Sequence, residues 1–159
     1  MMAAGETEWL DEREQRAWRG FLDMHATVNR ALAAQLQRDT DLSLADYGIL
    51  VTLSEADEGQ LRSFAIAEKL QWEASRLSHQ LRRMEARGLV ERRSCPEDRR
   101  GVIIAITEAG RCAITKAAPL HVAEVRRVFI DRLDDAHLDA LVDAADRIRA
   151  TPAEPTTSR

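Results

Sequence analysis

The chain has 159 residues and 45% hydrophobic side chains, enough for one domain, or one domain plus a dimerisation element, around a real core. No apolar run reaches the roughly 18 residues of a membrane span, and the acidic start MMAAGETEWLDERE lacks the apolar stretch of a signal peptide. A net charge of −4 argues against indiscriminate coating of nucleic acid, and Cys95 and Cys112, far apart and outside any CxxC, fit a reduced, cytoplasmic protein.

Residues 1–7 are expected to fray. From Glu8 to about Arg38 there is no proline, and Trp18, Phe21, Leu22, His25, Val28, Leu32 and Leu36 recur at helical spacing. The pattern predicts one helix well beyond the usual length of about 11 or 12 residues. A helix that long in a small protein calls for a partner along its length, and a second subunit is the common one. After a turn at Asp39–Asp41, Ser43 with Asp46 three residues on makes a capping-box-like start to a second helix ending near Ala56. Glu58-Gly59 is a turn, and Gln60–Arg62 is compatible with a very short strand. Ser63 is expected to cap a third helix, Phe64 to Leu70, and Gln71-Trp72 turns into a fourth. Helix, short turn, helix is the layout of a DNA-reading helix-turn-helix.

The fourth helix is the element around which the rest is organised. On a helical wheel Ala74, Leu77, Leu81 and Met84 share one side. Ser75, His79, Arg82 and Arg83 lie opposite, flanked by Arg76 and Ser78, with no carboxylate among them. Hydroxyls, an imidazole and guanidiniums are side chains that reach base edges and phosphates. A solvated helix face has the same look, so the segments that follow matter. Gly88 is the expected helix stop. Leu89-Val90 and Val102–Ile106 read as two strands joined by a loop rich in Arg, Pro, Asp and Gly. A hairpin tip carrying several arginines suits insertion into a minor groove, where negative potential is concentrated. Residues 62–102 hold 10 basic and 6 acidic side chains, whereas the rest of the chain holds 13 and 21. That is a basic lobe on an acidic body.

Thr107 is the expected cap of a fifth helix to about Leu133, which Pro119 should interrupt and bend. Asp134 or Asp135 caps a sixth, with Leu138, Leu141, Val142, Ala145 and Ile148 inward. Residues 151–159 are Pro-, Thr- and Ser-rich and read as a disordered tail.

The segments LSLADYGIL at 42–50, ARGLVERR at 86–93, Asp98-Arg99-Arg100 in the loop and ITEAGR at 106–111 follow one another in this order. In order and spacing they resemble the MarR (multiple antibiotic resistance regulator) family of winged-helix transcription factors, over roughly residues 8–150. The resemblance implies a mainly α (α+β) fold: a winged helix-turn-helix lobe at 42–106 with a two-stranded β-wing, an N-terminal dimerisation helix within 1–41, and C-terminal dimerisation helices at 107–150. It also implies a homodimer that reads a pseudo-palindromic operator, more often as a repressor. Within the wing, Arg100 would enter the minor groove and Asp98 would hold the wing, with Arg99 between them. Ser75, Arg76, Ser78 and His79 fall on base-reading positions. His79 stands where many members carry Arg, so the base read there is left open. Arg82 and Arg83 follow one turn later as phosphate contacts. Ser63, at the start of the third helix, would offer backbone N–H groups to a phosphate. Members often respond to small aromatic or phenolic acids, and Trp18, His25 and Tyr47 are the residues to inspect for such a ligand, although packing alone also accounts for them.

No P-loop, GxGxxG, GxSxG or HExxH is present, so no enzyme is expected. His25, His79, His121 and His137 lack metal-ligand spacing, and no metal or cofactor is expected. The competing class is a helical interaction module or antirepressor that does not touch DNA. Such a module has no use for an arginine-loaded wing.

Overall fold

The computed structural model describes residues 7–94 and 102–150. The wing tip, with Cys95, Asp98, Arg99 and Arg100, lies outside the described residues. So do the tail at 151–159 and most of the start expected to fray.

Among the described residues, six helices surround a small sheet. Helix α1 spans Glu12–Asp39. It starts later than its apolar spacing suggests, because Asp11 and Glu14 form a capping box: each carboxylate accepts the other residue's backbone N–H at 2.8 Å. Trp9 and Leu10 therefore precede the helix. Helix α2, Leu44–Ser54, starts on the Ser43–Asp46 box read from the sequence. A 3₁₀ turn at Asp57–Gly59 leads into strand β1, Gln60–Arg62, and helix α3, Ser63–Leu70. Ser63 is not the cap expected of it. It is the first helical residue, and Arg62 sits at the cap position, where its side chain does not cap the helix. Helix α4, Ala74–Ala86, ends at Gly88, whose φ of +69° is the left-handed conformation that favours glycine.

Strands β2, Val90–Ser94, and β3, Val102–Ile106, form the wing as an antiparallel pair with Arg92 opposite Ile104. Strand β1 adds to the other edge of β3, giving the order β1-β3-β2. The central strand is the apolar one and β2 the charged one, as each position demands. Helix α5, Glu108–Val128, runs through Pro119 without interruption but stops short of Leu133. The backbone of Phe129 leaves the helical region there, and a single 3₁₀ turn, Ile130–Arg132, follows. Asp134 then accepts the His137 N–H at 2.9 Å and caps helix α6, Asp135–Ala150.

The core lies where α2, α3, α4, α5 and the sheet converge on the end of α1. Leu36, Ile49, Leu50, Leu53, Ile66, Leu77, Leu81, Met84 and Ile104 are completely buried or nearly so. Each contributes on the order of 1.5–3 kcal/mol through burial. Ala74, expected on the apolar side of α4, is exposed. The residues of α6 expected inward are not buried within one chain, and Val142 and Ile148 are 61% and 75% exposed.

Candidate nucleic-acid interface

Leu77, Leu81 and Met84 seat α4 on the core, which turns Ser75, Arg76, Ser78, His79, Arg82 and Arg83 outward, all exposed. The structure therefore brings together on one surface every α4 residue singled out from the sequence. Their commitments differ. Arg82 and Arg83 form no ion pair with any described residue, and with His79 and Ala86 they border an open hollow of about 270 Å³. The Arg76 guanidinium carbon lies 4.2 Å from the centroid of the Trp72 ring. Ser63 sits half-buried at the start of α3.

Several basic residues that the charge count placed in this lobe are already partnered. Arg92 of the wing bonds Glu85 at the end of α4 at 3.2 Å. Arg93 pairs with Glu91 and reaches Gln60 Oε1 at 3.2 Å. These arginines fasten the wing stem to α4 and β1, so the surplus available to a polyanion at the described surface is smaller than the sequence suggests.

Arg87 is partnered most deeply. Its guanidinium meets buried Asp46 at 2.8 Å and also donates to the Asp41 carbonyl. Asp46 also accepts from Gln80 Nε2 at 2.6 Å and from the backbone N–H and hydroxyl of Ser43, both at 2.9 Å. One carboxylate thus caps α2 and grips α4 at two places. Burial pushes this carboxyl up, but the Ser43 backbone N–H, the Arg87 guanidinium and the Ser43 hydroxyl together hold it below the ordinary carboxylate value. From the sequence Asp46 reads only as a helix cap. Its partners, 34 and 41 residues away, leave no local signal.

The three residues flagged for a small ligand fall in two places. Trp18 and His25 share one face of α1, each stacked on Phe21 with centroids 5.8 and 6.2 Å apart. His25 Nε2 also meets Asn29 Nδ2 at 2.8 Å. Phe21, His25 and Phe129 border a shallow apolar hollow of about 200 Å³. Tyr47 does not join them. Its ring lies against His121 of α5 with centroids 4.1 Å apart, and His121 Nδ1 is 3.4 Å from Gln35 Oε1. Burial, assisted by the Glu55 charge, pushes the Tyr47 phenol up. Burial also pushes the His121 imidazole down, against the pull of Glu124. The sequence gives no sign of the His121 contact, because the two rings come from helices distant in the chain.

Comparison with known proteins places this geometry. Residues 42–102 match the family model described as MarR family. The structure of AbsC, a MarR family transcriptional regulator from Streptomyces coelicolor, is 41% identical over 91% of this chain and 100% of that one, with a TM-score of 0.85. The chain belongs to the MarR family. Sco3205, a MarR family regulator from the same organism determined in complex with DNA, is 34% identical, with 97% of this chain and 96% of that chain covered and a TM-score of 0.88. CouR from Rhodococcus jostii RHA1, determined bound to p-coumaroyl-CoA, is 27% identical over 86% of this chain and 94% of that one, at a TM-score of 0.70. A curated HTH-type regulator of Bacillus subtilis matches at 27% identity over 84 residues, half of that protein's length. Membership of the MarR family makes the chain a transcriptional regulator and not an enzyme. Homologues bind DNA and, in the case of CouR, an aromatic thioester. No helix among the described residues is long and apolar enough to cross a membrane.

Proposed function

We propose that this MarR-family protein binds a pseudo-palindromic operator in double-stranded DNA as a cytoplasmic homodimer and represses transcription from it. The observation that carries the reading is the outward face of α4. Arg82 and Arg83 stand beside Ser75, Ser78 and His79, none of them held by an acidic neighbour among the described residues. An antirepressor would not need such a face left open. Ser75, Arg76, Ser78 and His79 lie in the first two turns, which sit deepest in a major groove. They read bases, while Arg82 and Arg83, one turn later, hold phosphates along with the first turn of α3 at Ser63. Arg100 of the wing, with Arg99 beside it, extends the contact into a minor groove, and Asp98 holds the wing for it.

His79→Ala is expected to relax preference at one base position in each half-site and to leave non-specific affinity nearly intact. Arg82→Ala and Arg83→Ala should weaken all sequences alike. Each should also flatten the dependence of log affinity on log salt by roughly one unit per lost phosphate contact. Titrating a selected operator and a scrambled duplex across salt checks both. Equal losses for the His79 variant on the two duplexes, or arginine losses confined to the operator, would refute the assignment.

The dimer reading rests on apolar surface that one chain cannot cover. Trp18, Phe21 and Leu22 on α1, Leu120 and Val122 on α5, and Val142 and Ile148 on α6 are all exposed. Three helices with unpartnered apolar faces suit an interlocked pair of N- and C-terminal helices. Light scattering at micromolar concentration should return twice the 17.9 kDa chain mass. A value near one chain mass would end the claim. Release by a small aromatic acid is the remaining part of the proposal. Trp18 and His25 beside the α1 hollow, and Tyr47 at the α1–α2–α5 junction, mark the two places to look.

A further inference from the structure

We infer that Trp72 is a positioning residue for DNA reading: its indole face holds the Arg76 guanidinium in the orientation used at a base edge. The inference rests on the reading of α4 given above. The geometry runs in three steps. The turn before α4 is fixed, because Gln71 takes the left-handed conformation at φ +53° and the Trp72 N–H donates to the Ala67 carbonyl at 2.9 Å. The half-buried indole then packs on the hydrophobic core, so the ring has little freedom of its own. Finally, Arg76, in the first turn of α4, lays its guanidinium over that ring at 4.2 Å. It forms no ion pair with any other described residue.

A guanidinium stacked on an aromatic face engages through its π surface and leaves its N–H edge for acceptors in its own plane. That edge fits bidentate hydrogen bonding to the O6 and N7 acceptors of guanine. A free arginine must give up several rotors to adopt this pose on binding, whereas one already stacked has given up part of them beforehand. The tryptophan thus acts on affinity and selectivity without touching DNA. The cost of the left-handed Gln71, a conformation that L-residues with side chains avoid, is consistent with a turn whose geometry is needed.

A double-mutant cycle on the full-length protein tests this. The probes are a duplex recovered by the parent protein from a random-sequence pool and a scrambled duplex of the same composition. Arg76→Ala should lower affinity for the selected duplex about tenfold or more and flatten preference at one base position per half-site. Trp72→Leu, which keeps apolar packing but removes the ring, should cost about two- to fivefold on the selected duplex and flatten the same position. Trp72→Phe should restore part of that loss. In the Arg76→Ala background Trp72→Leu should cost nothing further. The inference is overturned if Trp72→Leu costs as much without Arg76 as with it, if it lowers preference at all positions alike, or if Phe rescues nothing. Failure of Arg76→Ala to affect either duplex overturns the role of Arg76 and the inference with it. A parent protein that recovers no preferred duplex instead overturns the DNA-binding reading itself.

Discussion

Gly110→Ala is expected to destabilise the protein by about 3 kcal/mol, at the upper end of what overpacking usually costs. The position looks undemanding, since it lies in the first turn of α5, where alanine is the better helix former by roughly 1 kcal/mol. The surroundings reverse the sign. The Thr107 N–H donates to the Leu89 carbonyl at 3.2 Å, and the Thr107 hydroxyl donates to the Gly88 carbonyl at 2.6 Å while capping the Gly110 N–H at 3.0 Å. These bonds draw the start of α5 onto the chain leaving α4. A Cβ at residue 110 would sit 2.2 Å from the Leu89 carbonyl oxygen and 2.9 Å from Ile106 Cγ1. The first obstacle is backbone and cannot rotate away. Gly48→Ala is the control, because its Cβ would meet only Leu70 Cδ2 at an ordinary 3.7 Å. That variant should be neutral or slightly stabilising. Denaturant midpoints at one protomer concentration make the comparison. A Gly110→Ala protein as stable as the parent would refute the packing argument.

These two glycines also show how far the sequence could be read. Helices, the Gly88 stop and the wing strands were legible because each follows from local pattern: the 3.6-residue spacing of Leu77, Leu81 and Met84, and the β-branched run at 102–106. The outward face of α4 was legible for the same reason, since a helix seated by one side must present the other. Gly110 stood out only as part of ITEAGR, and nothing local says that a carbonyl from β2's approach lies against it. Local pattern also misplaced features. Ser63 is a good cap by residue type, yet the short strand before α3 puts Arg62 at that position. Pro119, read as an interruption of α5, lies inside a continuous helix. The α6 residues expected inward form an amphipathic pattern, but within one chain that face stays exposed. The charge count found the basic lobe but not that Arg87 and Arg92 are paired with Asp46 and Glu85, 41 and 7 residues away, or that Arg93 reaches Gln60 across 33, because such pairing is set by the fold.

Asp46→Ala is expected to cost about 3 kcal/mol and to weaken DNA binding beyond what the folded fraction explains. Two terms set the size. Loss of the cap on α2 contributes about 1 kcal/mol. Leaving the partners of a buried carboxylate unsatisfied costs more, up to 3–5 kcal/mol where the stranded charge cannot escape. Here it can escape in part: the Arg87 side chain is 38% exposed and can turn to water, which keeps the total near the lower figure. Gln80 and Arg87 stand at the middle and the end of α4, so their release frees the helix to shift against α2, and the reading face moves with it. The pH dependence has a definite sign. The folded carboxyl titrates below its ordinary value, so its contribution is complete above about pH 4 and disappears as pH falls through the folded value. The stability gap between parent and Asp46→Ala should therefore stay constant from neutral pH to about pH 5 and close at lower pH. Asp46→Asn should keep the Ser43 backbone bond, lose the negative charge that faces Arg87, and fall between the two without this closure. Urea midpoints at a series of pH values, with operator affinity measured at neutral pH, decide the case. A gap that widens on acidification, or an alanine variant that binds the operator like the parent, would remove Asp46 from its role in holding α4.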